Sequence, residues 1–218
     1  MKVSYDGNAH ELLLRSYQKD TAPHPTRTAL NFPHRNHWHE EVGSLKRLMF
    51  PQCWNADALV YDSASILNEI EKLGALVSRG VRPYSDDQST GSVERVLDRL
   101  PELRTALKKD AEAAYKGDPA ANSYIEILRS YPGFRAITIQ RFAHMLYETG
   151  STEYARELTE YGKTVTGIDI HPGAEIGEHF FYRSWDLRRH RGDGYYWRLG
   201  PNLPGRHPWG TTLRRGRR

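Results

Sequence analysis

The sequence predicts an all-α N-terminal domain, then the first coil of a β-solenoid, then an irregular C-terminal tail. Three observations predict it. Apolar residues recur at helical spacing from Val42 to about Tyr161. From Thr164 the pattern changes to β-branched and polar residues in alternation, punctuated by Gly and Pro. After Phe181 the composition changes again. Residues 182–218 hold ten Arg, two Asp and no Lys or Glu, and lack Ile, Val, Ala, Phe and Met. The domain organisation is a polar arm (1–40), a helical domain (41–163), a solenoid start (164–181) and a tail (182–218).

Within the arm, a short helix is expected near Glu11–Ser16, before a His- and Pro-rich stretch. Val42, Leu45 and Met49 mark the next helix, which Pro51 stops after Phe50. Ile66, Ile70, Leu73 and Val77 form a stripe that Gly80 ends, and a loop over Arg82–Gly91 follows. Val93, Val96, Leu97 and Leu100 make another stripe. Pro101 suits the first turn of a helix carrying Leu103, Leu107, Ala111 and Ala114. Asp118-Pro119 reads as a helix start, an acceptor cap before a residue that needs no N–H. That helix breaks at Pro132-Gly133. Ile139, Phe142, Ala143 and Leu146 share a face of the next, which ends at Gly150, and a last helix spans Ser151 to about Tyr161. Ile168, Ile170 and Ile176-Gly177 then supply the inward residues and small turn of one hexapeptide-type coil. One coil is physically incomplete, because a solenoid coil buries its faces against a neighbour.

The 218 residues can bury a sizeable core. No apolar run approaches the ~20 residues that cross a bilayer, and the N-terminus has no secretory h-region. A single cysteine, Cys53, excludes an internal disulfide and fits a cytoplasmic setting. The net charge of +4 is uneven: before residue 182, 21 basic face 25 acidic residues. His34, His37 and His39 have partial metal-ligand spacing, but no companion Cys or second pair joins them, so no metal is expected. His144 reads as a packed core or interface histidine, His171 beside Pro172 as a turn residue, and Cys53 as unreactive.

SLKRLMFP, DAEAAYKGDPAANSYIEILRSYPGFRAITIQRFAHMLYETG and TGIDIHPGAEIGEHFF resemble the serine O-acetyltransferases, hexapeptide-repeat acyltransferases, over about Phe32–Phe181. The resemblance implies several left-handed β-helix coils after Phe181, which this chain does not spell. A one-base shift explains the difference. Trp has one codon, and its last two bases begin a Gly codon in the next frame. Trp185, Trp197 and Trp209 fall 12 residues apart, two hexapeptides. Shifted, Tyr182–Asp186 can yield Ile-Asp-His-Gly-Thr, and Arg189–Trp197 can yield Val-Ile-Gly-Glu-Thr-Val-Ile-Ile-Gly. Leu187, whose shifted codon cannot give Gly, departs from the pattern. Residues 182–218 therefore read as a frameshift product.

By resemblance, the activity is acetyl transfer from acetyl-CoA to the L-serine hydroxyl, giving O-acetylserine for cysteine biosynthesis. No cofactor is implied beyond acetyl-CoA as co-substrate. A hydroxyl nucleophile needs a positioned base, and a histidine base needs a carboxylate to orient it. The family's orienting carboxylate falls on Asp169, and the Asp that holds substrate serine falls on Asp118. The base falls where Ser184 stands, so impaired activity is expected. A homo-oligomer assembled through the helical domain is also implied, without membrane or nucleic-acid partners. The alternative is a non-enzymatic helical module whose basic, Trp- and Tyr-rich tail binds nucleic acid.

Overall fold

The computed structural model describes residues 7–19, 32–34, 36–54, 62–84, 89–181 and 198–199. The chain divides into two units, residues 1–32 and 33–218. The first holds α1 (Ala9–Tyr17), which encloses the expected Glu11–Ser16 and buries none of its residues.

In the second unit α2 (His37–Met49) places Val42, Leu45 and Met49 in the core. Pro51 ends α2 and begins the single turn of α3 (Pro51–Trp54). Asp62 caps α4 (Ser63–Val81), accepting from the Ser65 N–H at 2.8 Å. Leu73 and Val77 are buried in α4 as expected, but Ile66 is 44% exposed. Gly80 does not end α4. It lies inside the helix, where a Cβ would come within 2.0 Å of the Tyr154 ring. Glycine there makes room for a neighbour. A 3-10 turn (Arg82–Tyr84) follows, and α5 (Ser89–Asp98) begins within the stretch expected to be loop.

α6 (Leu100–Gly117) has Pro101 in its first turn and buries Leu103, Leu107, Ala111 and Ala114. Asp118 then behaves differently from expectation, as the C-cap of α6. The start of α7 (Tyr124–Ser130) is signalled instead by Ser123, whose Oγ accepts from the Glu126 N–H at 3.1 Å. Glu126 reaches back to accept from the Asn122 N–H at 2.8 Å, one residue before the cap. Ser123 supplies the cap in place of Asp118: its hydroxyl satisfies one orphan donor of α7, and Glu126 ties down the residue before it.

α8 (Pro132–Glu148) is the central helix, with eleven buried residues on all its faces, and α9 (Thr152–Thr166) packs along it. α9 runs five residues beyond the expected end. The Thr164 and Thr166 hydroxyls bond back to the Glu160 and Gly162 carbonyls, at 2.9 and 2.7 Å, and so remain helical despite their β preference. Gly167, at φ 74°, closes α9 by donating to the Lys163 carbonyl at 2.8 Å. The alternation then begins: Ile168 and Ile170 are buried and Asp169 is exposed.

β1 (Ala174–Glu175) pairs antiparallel with β2 (Arg198–Leu199). Otherwise the tail, including Ser184 and the three tail tryptophans, lies outside the described residues. The N-terminal domain is helical, and among the described residues there is no complete solenoid coil. Among the described residues no helix is long and apolar enough to cross a membrane.

Candidate functional site

The segment that carries the Gly-Ile-Asp-Ile-His-Pro motif is seated on α6 and α8 by its main chain. Gln140, Arg141 and His144 project from α8 at spacing i, i+1, i+4. Gln140 Nε2 donates to the Ala174 carbonyl at 2.9 Å. Arg141 donates to the carbonyls of Ile176 and Gly177 at 3.0 and 2.7 Å. His144 Nδ1 lies 2.7 Å from the Pro172 carbonyl, so the proton sits on Nδ1. This half-buried histidine does work at an interface, one within the chain.

Arg141 is itself held by Asp110, through bonds of 2.7 and 3.0 Å to the two carboxylate oxygens. The Asp110 side chain is fully buried, and its Oδ1 also accepts from the Phe180 N–H at 2.8 Å. Burial pushes the Asp110 carboxyl above the usual carboxylate range, and the Arg141 guanidinium draws it partly back. Lys109 adds an ion pair to Glu178 at 2.7 Å at the rim. A groove of about 510 Å³ runs between α6, α8 and this segment, with Arg99, Glu102, Arg141, His144 and Glu175 on its walls.

The two sequence-nominated carboxylates lie elsewhere, and each has its own partners. Asp118 Oδ1 accepts from the Ala120 N–H and Oδ2 from the Tyr131 hydroxyl, both at 3.0 Å. Tyr131, between α7 and α8, thereby fixes the carboxylate as α6 ends. Asp169, just past α9, is about half exposed. Lys163 Nζ donates to its Oδ2 at 2.9 Å, and Arg156 lies 3.8 Å from Oδ1. The ion pair in turn raises the Lys163 ammonium above its ordinary value. His171 accepts the Gly173 N–H on Nδ1 at 3.0 Å and meets Tyr147 edge to face. Burial, and then Arg156, hold its pKa below the ordinary histidine value. It is a turn residue, as expected.

The N-terminal histidines take separate directions. His37 is buried and lies 2.9 Å from the Tyr154 hydroxyl. That hydroxyl donates to Glu41 Oε2 at 2.5 Å, so His37 Nε2 must donate to the phenol oxygen. His39 lies 3.4 Å from the Tyr161 hydroxyl. Among the described residues no three His, Cys, Asp or Glu side chains gather closely enough to hold a metal. Cys53 is half-buried, and burial raises its thiol pKa.

The sequence reading missed Asp110 and Arg141. The signal was present, since Asp110 shares the apolar side of α6 with Leu103, Leu107 and Ala114. A carboxylate in a core stripe calls for a cation opposite it.

A family model described as serine acetyltransferase, N-terminal, matches residues 77–139. A plasmid serine acetyltransferase of Synechococcus elongatus is 55% identical over 82 residues, 38% of this chain and 26% of that protein. The serine acetyltransferase of Bacillus licheniformis is 45% identical over 75 residues, 34% of this chain and 35% of its own. Among solved structures, serine acetyltransferase isoform 3 of Entamoeba histolytica, in complex with cysteine, superposes with a TM-score of 0.62 at 35% identity. It covers 78% of this chain and 60% of its own. Serine acetyltransferase 1 of the same organism, in complex with L-cysteine, gives 0.61 at 37% identity, with 78% and 62% covered. The chain thus spans about a third or less of these curated relatives and about three fifths of the crystal structures. The resemblance read from the sequence is shown, and residues 77–139 carry the family match.

Proposed function

We propose that this chain is the helical domain and coil entry of a serine O-acetyltransferase. Its complete form moves the acetyl group of acetyl-CoA to the L-serine hydroxyl, in the cytoplasm, as a homo-oligomer joined through the helices. The observation that supports this best is the agreement of the N-terminal family match with a structural likeness reaching over 78% of the chain.

The proposal gives the carboxylates separate tasks. Asp118, steadied by Tyr131, holds the substrate serine. Asp169 orients the catalytic base in a left-handed β-helix that begins at Ile168. Its Oδ2 is taken by Lys163, while Oδ1 has only the longer Arg156 contact, so Oδ1 is the oxygen free to receive an imidazole N–H. The base is absent from the reading frame, with Ser184 in its place. Loss of a general base costs ~10²- to 10⁴-fold in rate.

A coupled thiol-release assay with L-serine and acetyl-CoA tests this on two proteins, the chain as it stands and a version with one base corrected after the Phe181 codon. The corrected protein should turn over serine, and the uncorrected one should run at least ~10²-fold slower. A corrected frame with no glycine-punctuated coils, or one that spells them but acetylates no serine, would sink the proposal.

A further inference from the structure

Arg156, Glu160 and Lys163 stand at i, i+4 and i+7 on α9, one face of the helix. Gly167, at φ 74°, turns the chain after α9, and Asp169 comes back against that face. Lys163 Nζ donates to Asp169 Oδ2 at 2.9 Å and lies 4.0 Å from Glu160 Oε2. Arg156 donates to Glu160 Oε1 and closes the circuit at 3.8 Å from Asp169 Oδ1. The four charges alternate in sign around a ring and sum to zero.

A single exposed pair contributes little, because two long side chains must be held in one geometry. In this ring every side chain has two neighbours of opposite sign, which narrows its choices. The contacts are also unequal. Lys163 is near Asp169 and distant from Glu160, whereas Arg156 is near Glu160 and distant from Asp169. Asp169 therefore has one oxygen firmly held. Its other oxygen faces a cation that a second carboxylate draws away.

A carboxylate that orients an imidazole must offer an acceptor in a fixed direction. Without Glu160, the Arg156 guanidinium would be free to bond Oδ1, and such a charge-assisted bond outcompetes a neutral N–H donor. We infer that Lys163 and Glu160 are positioning residues for Asp169: Lys163 pins Oδ2, and Glu160 draws Arg156 off Oδ1, which is left for the base. The inference rests on the proposed role of Asp169 as the orienting carboxylate. Lys163 also sets the working pH of the base. Its charge opposes the stabilisation that Asp169 gives an imidazolium, so the base stays neutral to lower pH. His171, two residues on, lies in the field of Arg156 and Asp169 as well.

Two measurements test this. In the chain as it stands, the Lys163 ammonium, followed by NMR, should titrate above the ordinary lysine value and return to it in Asp169→Asn. An ordinary value in wild type overturns the inference. In the protein with one base corrected after the Phe181 codon, the thiol-release assay reads kcat and KM. Glu160→Gln should lower kcat about tenfold, part of the ~10⁴-fold lost when such a carboxylate is itself neutralised. Adding Arg156→Met to Glu160→Gln should restore most of that loss, which damage to α9 would not allow. Lys163→Met should move the acid limb of the kcat/KM profile up by about 0.4 pH unit, the effect of one charge roughly 7 Å away through water. Lys163→Arg should return it. A His171→Asn background, which keeps an acceptor for the Gly173 N–H, removes the second histidine from the profile. An active corrected protein whose kcat and profile ignore Glu160→Gln and Lys163→Met, or whose double variant is no better than Glu160→Gln, overturns this inference alone. A corrected protein that acetylates no serine overturns it together with the proposed function.

Discussion

Replacing Asp110 by Asn should break the joint between α6, α8 and the coil entry. Asp110 is fully buried and Arg141 is 12% exposed, so the substitution strands a poorly solvated guanidinium. Breaking a fully buried pair from one side costs about 3–5 kcal/mol. Here Arg141 keeps its two carbonyl acceptors and a little solvent, which places the expected loss near the lower end, about 3 kcal/mol. Urea unfolding of the two chains measures it. A cycle with Arg141→Met isolates the coupling, because the double variant removes both charges; about 2 kcal/mol or more is expected. Amide exchange separates the joint from the core: the Phe180 N–H, bonded to Asp110 at 2.8 Å, should lose protection before the amides of Phe142 or Leu146. A coupling under about 0.5 kcal/mol, with Phe180 exchange unchanged, would refute the idea that this pair holds the segment.

Gly80→Ala should destabilise the domain by at least about 2 kcal/mol, since the new Cβ overlaps the fully buried Tyr154 ring; within a Tyr154→Leu background the same change should cost little, as read by thermal midpoint. Burial first, and then Glu41, hold the Tyr154 phenol far above its ordinary value. The folded pKa is raised, so this contribution is complete below the unfolded tyrosine value of about 10 and declines as the pH rises past it. Urea midpoints from pH 8 to 11 should therefore fall above about 10 in wild type, and fall less in Tyr154→Phe. That variant should cost about 1–3 kcal/mol at pH 7, because Glu41 and His37 lose their shared partner.

Helix positions were legible where apolar spacing and a breaker agreed, as in α6 with Pro101 and the stripe from Leu103 to Ala114. Legibility failed where one residue type serves two purposes. Gly80 carries the signature of a terminator, yet it stands under the ring of Tyr154, 74 positions away in the chain. Thr164 and Thr166 belong to a β-type run by composition, but their hydroxyls find helix carbonyls. Asp118-Pro119 has the form of a start and serves as an end. Of the candidate site, Asp118 and Asp169 could be named through resemblance alone. Their partners Tyr131, Lys163 and Arg156 could not, because those pairings depend on how helix ends meet. The joint made by Asp110 and Arg141 crosses 31 residues, a separation that no local pattern encodes.

Gln140, Arg141 and His144 take hold of carbonyl oxygens, which every residue type supplies. Such a grip is blind to spelling. Point changes at the exposed Glu175 and Gly177 can accumulate without loosening it, whereas inserting or deleting one residue would present the wrong carbonyl to each finger. The central helix therefore acts as a ruler, setting the starting pitch for whatever chain the ribosome delivers next.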